Sequence, residues 1–167
     1  MKIAEVVPNN RKKAFEIRTQ DSVYDFPYAK LRVQPTVEDP VTEVYADEEI
    51  GREGFTYRLE SGAEDTIHLD AVLEYNQDPS YLNEVLLHRL TVEALKALDE
   101  SGLSKRELIR RLDTSASQLY RLLDPTYSGK SVGQMMSLLR LLGRDVDLVV
   151  RPRNDPPRRR TKRNIAV

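Results

Sequence analysis

The sequence lacks cysteine altogether and contains only two histidines, His68 and His88. Without cysteine there is no disulfide, no thiol nucleophile and no thiolate ligand. The two histidines do not stand at a metal-binding spacing, and neither lies near a nucleophile elbow. A phosphate-binding loop of the form G-x-x-x-x-G-K-[ST] is also missing. The sequence therefore predicts a protein that is not an enzyme and that has no catalytic residue, no metal site and no cofactor.

Long apolar segments are lacking as well. The N-terminus, MKIAEVVPNNRKK, does not contain the apolar segment of a signal peptide. No run approaches the ~18 apolar residues that a membrane span requires. The absence of cysteine fits a reducing compartment. We therefore expect a soluble, cytoplasmic protein with no membrane partner.

Basic side chains are outnumbered by acidic ones in the first half of the chain, and the reverse holds in the second half. The formal net charge is −1, but residues 1–79 carry 9 basic against 17 acidic side chains. Residues 80–167 carry 17 basic against 10 acidic side chains. A charge asymmetry of this kind favours a polyanionic partner for the basic half.

Alternating apolar and polar residues in the first half predict strands. The segments expected to be strands are KIAEVV, KAFEIRT, SVYDF, GFTYRLE and DTIHL. The first two and the last two are expected to form hairpins, and Val41–Gly54 is expected to contain an acidic loop. The prediction is a sheet of about five strands in a small β-rich domain of unknown role over residues 1–76.

Helical patterns begin after this domain. Asp78 and Pro79 suit the start of a long helix that ends near Ser101. Its apolar residues recur at helical spacing, at positions 82, 86, 87, 90, 94, 95 and 98. Three shorter helices are expected over 104–112, 115–123 and 131–142, because each begins with a capping-box pattern.

The end of the chain predicts two further features. The alternating, β-branched segment Asp145–Arg151 predicts a short strand, and residues 154–167 predict a basic, disordered tail. The expected fold class is therefore α+β, with the small β-rich domain followed by a helical helix-turn-helix domain and a short C-terminal strand.

Two of the short helices are joined by little more than Asp113-Thr114. Short helices with such a tight turn are typical of the helix-turn-helix unit, whose second helix enters a DNA major groove. The residues expected on the outer face of this second helix are small or hydrogen-bonding, and none is acidic: Ala116, Ser117, Tyr120 and Arg121. Arg121 could bond a guanine through two N–H groups, and Ser117 could bond either partner of a base pair.

The segment Leu103–Leu123, followed by Ser131–Arg151, resembles the phage Cro/repressor (XRE-like) helix-turn-helix family. Its register, LSKRELIRRLDTSASQLYRLL, matches the family pattern of a hydroxyl cap, two leucines, a turn, a serine, an apolar residue and an arginine. The end, LLRLLGRDVDLVVRPR, is similar to a subset found among antitoxins and phage-type regulators. The resemblance covers about residues 82–153 and implies a DNA-binding domain over residues 77–153.

Three positions depart from the family pattern. Lys105 stands where the family usually has a glutamine that braces the second helix and contacts phosphate, and a lysine is expected to brace it less well. Ile109 replaces a small alanine. Asp113 replaces the glycine of the turn, although aspartate tolerates a left-handed backbone better than most residues. Residues 1–79 resemble, more weakly, β-rich domains that precede such modules, which implies no activity.

The candidate DNA-contacting residues follow from the motif and the basic charge. They are Lys105, Arg106, Ser115, Ala116, Ser117, Gln118, Tyr120, Arg121 and Lys130. Lys105, Arg106 and Lys130 are expected to contact phosphate. The basic run Arg158–Arg163 could follow the duplex without choosing a sequence.

The predicted function is a sequence-specific DNA-binding transcriptional regulator that represses its own operon. It is expected to bind double-stranded DNA as a homodimer. The dimer would form either through the Leu82–Leu98 stripe or through pairing of a final strand, Val146–Val150. Two alternatives stay open: an antitoxin that binds and neutralises a partner toxin, and an adaptor that has lost DNA binding.

Overall fold

The structure is a computed structural model that describes residues 1–152 and 161–162. The described residues fall into two compact units, which divide between Asp78 and Pro79. The expected domain boundary, after residue 76, lies two residues earlier in the chain. Of the basic tail expected over residues 154–167, only Thr161–Lys162 is described, so the rest of that prediction lies outside the described residues.

Among its described residues, the first unit contains two separate antiparallel sheets, each with three N-terminal strands in sequential order. The strands of the first sheet are β1 (Ile3–Asn9), β2 (Ala14–Thr19) and β3 (Ser22–Pro27). Those of the second sheet are β4 (Val41–Ala46), β5 (Gly54–Leu59) and β6 (Glu64–His68). A two-residue strand, β7 (Thr161–Lys162), pairs with β3 at the edge of the first sheet.

Aromatic side chains join the two sheets in one core. Phe15 of β2 is fully buried, and its ring centroid lies 5.1 Å from those of Tyr28, Phe55 and Tyr57. Because Phe55 and Tyr57 belong to β5, these ring contacts cross from one sheet to the other. Aromatic pairs of this geometry contribute about 0.5–1.5 kcal/mol each beyond the area that they bury.

Helix α1 (Leu69–Tyr75) follows β6 and was not predicted from the sequence. Its buried residues are Leu69, Val72 and Leu73. The Tyr75 ring lies 5.6 Å from that of Phe26 on β3, so the helix packs against the first sheet although it follows the second.

The second unit contains four helices among its described residues. They are α2 (Pro79–Ser101), α3 (Lys105–Leu112), α4 (Ala116–Leu123) and α5 (Val132–Leu141). The four helices predicted from the sequence are thereby confirmed to within a residue at each end. Their apolar faces meet in one core that contains Leu87, Ala94, Leu108, Leu119, Leu122, Met135 and Leu138. In the part of the chain that is described, no helix combines the length and the apolar character needed to cross a membrane.

The predicted fold class was wrong in two respects. The chain is a mixed α+β protein, but its N-terminal strands form two three-stranded sheets and not one sheet of about five. The strand expected over Asp145–Arg151 is not present, and apart from the two residues of β7 every described strand precedes the helices. The described residues of the second unit contain no strand with which this segment could pair. Its side chains Leu148 and Val150 are accordingly 87% and 83% exposed.

Candidate nucleic-acid interface

Serine hydroxyls begin the three short helices. The Oγ atom of Ser104 accepts a hydrogen bond from the backbone N–H of Glu107 (3.2 Å), and Ser115 Oγ accepts one from Gln118 (3.1 Å). Only α5 has the complete capping box, in which Ser131 Oγ accepts from the backbone of Gln134 while the Gln134 side chain accepts from the Ser131 N–H. Each cap satisfies a backbone donor that the helix start leaves without a partner.

The turn between α3 and α4 consists of Asp113, Thr114 and Ser115. Asp113 has a left-handed backbone, with φ 49° and ψ 52°, and caps the end of α3. The N–H of Thr114 donates to the carbonyl of Ile109 at 3.1 Å, which closes the last turn of the helix. Two eight-residue helices joined by three residues have the connection expected of a helix-turn-helix unit.

Helix α4 divides into an inner apolar face and an outer polar face. Leu119, Leu122 and Leu123 are buried in the core of the second unit. The candidate DNA-contacting residues that are exposed in and next to this helix are Ser115, Ala116, Ser117, Tyr120 and Arg121. Gln118 is half-buried, and α4 contains no acidic residue. The outer face therefore carries small and polar groups and one cation.

Lys105 lies against α4 rather than extending freely into solvent. Its Nζ atom is 4.9 Å from the centroid of the Tyr120 ring, which is itself 57% exposed. This cation–π contact connects the first turn of α3 with the outer face of α4. A lysine and an aromatic ring therefore connect the two helices at this position.

Glu107 organises two arginines that were not among the candidate residues. Its carboxylate accepts hydrogen bonds from Arg110 (2.7 and 3.0 Å) and from Arg111 (2.6 Å) on the next turn of α3. Hydrogen bonds from Arg110 and Arg111 lower the pKa of Glu107 to about 2. Arg106, in contrast, is exposed and forms no ion pair with any described residue. The E-x-x-R-R spacing was the sequence signal for this cluster, since residues three and four apart are neighbours on a helix.

Lys130, a candidate phosphate contact, was expected on the surface but is buried. Its side chain is buried, with 5% exposure, and Nζ donates to the carbonyls of Leu122 (3.0 Å) and Asp124 (2.6 Å). Burial lowers the pKa of the Lys130 ammonium, and the charge of Asp124 partly opposes that shift. Lys130 therefore donates its hydrogen bonds to carbonyls at the end of α4 and is not part of the exposed surface.

Arg121 is the exposed cation near the end of α4. Its guanidinium carbon lies 5.9 Å from the centroid of the Tyr127 ring, in the loop between α4 and α5. No carboxylate among the described residues lies within ion-pair distance of Arg121. Its charge is therefore not neutralised by an ion pair in that part of the chain.

The structure thus places Lys105 beside Tyr120, leaves Arg121 exposed on the same helix as Tyr120, and buries Lys130. Among the described residues, no group of three or more His, Asp or Glu side chains is arranged to hold a metal ion. No protein-family model matches the chain, and searches found no similar curated protein or solved structure. The resemblance to the phage Cro/repressor family stays a prediction from the motif of Leu103–Leu123.

Proposed function

We propose that the chain is a sequence-specific DNA-binding transcriptional regulator that represses its own operon in the cytoplasm. One observation carries the proposal: the outer face of α4 has small residues in its first turn and, one turn later, an arginine with no carboxylate partner among the described residues. A helix with this face can approach a base-pair edge closely and present a guanidinium to it.

The residues of this surface divide into two roles. Ala116 and Ser117 allow the start of α4 to lie close to the bases, and Arg121 bonds a guanine through two N–H groups. Lys105 and Arg106 contact phosphate, which fixes the position of the protein on the duplex without choosing a sequence. Lys130 has no part in these contacts, because its ammonium is occupied by two backbone carbonyls.

Regulators of this kind bind paired half-sites as dimers. The Leu82–Leu98 stripe provides a smaller dimer surface than the sequence indicated, because Leu87, Leu90 and Ala94 are buried in the core of their own unit. Leu82 and Leu86 remain 38% and 42% exposed on the first turns of α2. We propose that a homodimer forms through these first turns.

The test is binding of the full chain to its own upstream DNA and to a shuffled duplex of equal length, across a salt titration. A regulator prefers its own DNA at physiological salt, whereas equal and steeply salt-dependent binding to both duplexes would reject the proposal. Arg121→Ala is expected to cost about 1–3 kcal/mol on the preferred site and to relax specificity at one base position.

Arg89→Ala is the matched control for this substitution. It removes the same charge from an exposed position on α2, so its effect on the two duplexes is expected to be small and equal. If Arg121→Ala behaves like Arg89→Ala on the preferred site, the assignment of Arg121 to a base is wrong.

A second candidate function is neutralisation of a partner toxin, and one observation favours it. Leu148, Val149 and Val150 are consecutive and are 87%, 67% and 83% exposed. Contiguous exposed apolar side chains are typical of surfaces that bind another protein. If the product of a neighbouring gene co-purifies with the wild-type chain and not with a Leu148→Asp, Val150→Asp variant, the antitoxin function is supported.

A further inference from the structure

The loop between α4 and α5 places the aromatic ring of Tyr127 close to Arg121, the arginine that we propose contacts a base. Tyr127 is half-buried, and its ring faces the exposed guanidinium of Arg121 at 5.9 Å. An arginine at the surface loses side-chain entropy when it is fixed in one geometry for a base contact. A ring that already restricts the guanidinium reduces the part of that loss that binding must supply.

Five hydrogen bonds hold this loop on the end of α4. Lys130 donates to the carbonyls of Leu122 and Asp124, and the Asp124 carboxylate accepts from both the N–H and the hydroxyl of Thr126 at 2.8 and 2.7 Å. The N–H of Tyr127 donates to the Asp124 carbonyl at 3.2 Å. The backbone that carries the tyrosine is therefore bound to the same helix as Arg121.

Gly129 leaves room for the Tyr127 ring. A Cβ atom at this position would lie 2.5 Å from the Tyr127 hydroxyl and 2.6 Å from Cζ, closer than real Cβ contacts. The ring therefore occupies space that only glycine leaves open, and any side chain at position 129 must displace it.

We propose that Tyr127 is a positioning residue, which holds the Arg121 guanidinium so that its N–H edge points to a guanine in the major groove. The inference rests on the proposed function and assigns to this loop a role in base specificity. A guanidinium held over an aromatic face keeps its in-plane N–H donors free, so the cation–π contact with Tyr127 and a two-bond contact to guanine are compatible. Asp124 and the buried Lys130 are the charged groups of the loop, and both are engaged by loop or helix-end groups.

The experiment begins with selection of the preferred duplex from a random pool by the full wild-type chain. Dissociation constants are then measured for that duplex and for versions substituted at each position. The position at which Arg121→Ala loses discrimination is the position that Arg121 reads. If the wild-type chain selects no sequence, the proposed function fails, and this inference fails with it before any variant is compared.

On the selected duplex, Tyr127→Leu is expected to lower the discrimination between bases at the position that Arg121 reads by roughly two- to fivefold. The salt dependence of binding is expected to stay as in the wild type, because no phosphate contact is lost. Tyr127→Phe keeps the ring and is expected to restore wild-type discrimination. Gly129→Ala is expected to reproduce the effect of Tyr127→Leu by displacing the ring, and it provides a second measurement if the leucine variant does not fold.

Two outcomes would overturn the inference while leaving the proposed function intact. In the first, Tyr127→Leu and Gly129→Ala keep wild-type discrimination at the Arg121 position. In the second, both weaken binding to every duplex equally, which is the result expected of a merely structural tyrosine.

Discussion

The ammonium of Lys105 lies 4.9 Å from the centre of the Tyr120 ring, so a cation of α3 rests on an exposed aromatic ring of α4. Cation–π contacts at exposed sites are worth about 0.5–1 kcal/mol. The contact also holds the charge of Lys105 beside the face of α4 that we propose enters the groove. One side chain therefore both braces the second helix and places a cation there.

Removal of Lys105 should weaken binding to all DNA sequences alike. Lys105→Ala is expected to reduce the salt slope of the binding constant by about one, because one phosphate contact is lost. Salt titrations on the preferred and the shuffled duplex measure both effects. Lys96→Ala is the matched control, since it removes an exposed lysine of α2 that pairs with Glu93. Equal salt slopes for the two variants would show that Lys105 contacts no phosphate.

Lys130 should behave in the opposite way. Lys130→Met leaves the Leu122 and Asp124 carbonyls without their donor, which is expected to cost about 1–3 kcal/mol of unfolding free energy. Urea denaturation measures this loss. The salt slope of DNA binding is expected to stay as in the wild type, and a slope lowered as in Lys105→Ala would place Lys130 on a phosphate after all.

The pH dependence of stability should reveal the Glu107 cluster. The pKa of Glu107 is lowered from 4.5 to about 2 by its hydrogen bonds to Arg110 and Arg111. A pKa that is lower in the folded than in the unfolded chain adds stability above about pH 4.5, and this contribution is lost as the pH falls to about 2. The Glu107→Gln variant is therefore expected to be less stable than the wild type at pH 7, and to lose less stability than the wild type between pH 4.5 and about pH 2.

Denaturant unfolding at pH 7, 4.5 and 2.5 measures this difference. Glu93→Gln is the control, because Glu93 is an exposed carboxylate that bonds one lysine, Lys96, instead of two arginines. If the Glu107→Gln and wild-type curves stay parallel from pH 7 to 2.5, the arginine contacts do not form in solution.

The two glutamines that follow the helix caps should differ in their effect on stability. The Gln134 side chain accepts from the Ser131 N–H at 2.8 Å, whereas Gln118 has no such bond to Ser115. Gln134→Ala is therefore expected to destabilise the chain by about 0.5–1.5 kcal/mol more than Gln118→Ala. Thermal unfolding of the two variants compares them directly, and equal losses would contradict the difference between the caps.

Local chemistry explains what the sequence predicted well. The starts of α3, α4 and α5 depend on a serine and on backbone groups three residues away, so the capping pattern located each to within a residue. The strand predicted over Asp145–Arg151 had the right composition, but a strand requires a second backbone to pair with, and composition does not show whether one is present.

Other features depended on tertiary contacts that no short pattern contains. The acidic loop predicted within Val41–Gly54 is present after Ala46, but β4, which precedes it, was not predicted, because its residues form a strand only where β5 offers its edge. Lys130 looked like any other basic residue, and only the fold shows that its ammonium reaches the carbonyls of Leu122 and Asp124. The contact of Tyr127 with Arg121 likewise joins a loop to a helix.

The packing of Phe15 against Phe55 and Tyr57 has a consequence for synthesis of the chain. The three N-terminal strands of the first sheet are complete by Pro27, but Phe55 and Tyr57, two of the three rings that pack on Phe15, belong to β5, which emerges from the ribosome about thirty residues later. Until then, β2 exposes a large aromatic side chain to any other apolar surface nearby. The nascent first sheet is accordingly the stage at which we expect chaperones to engage this protein.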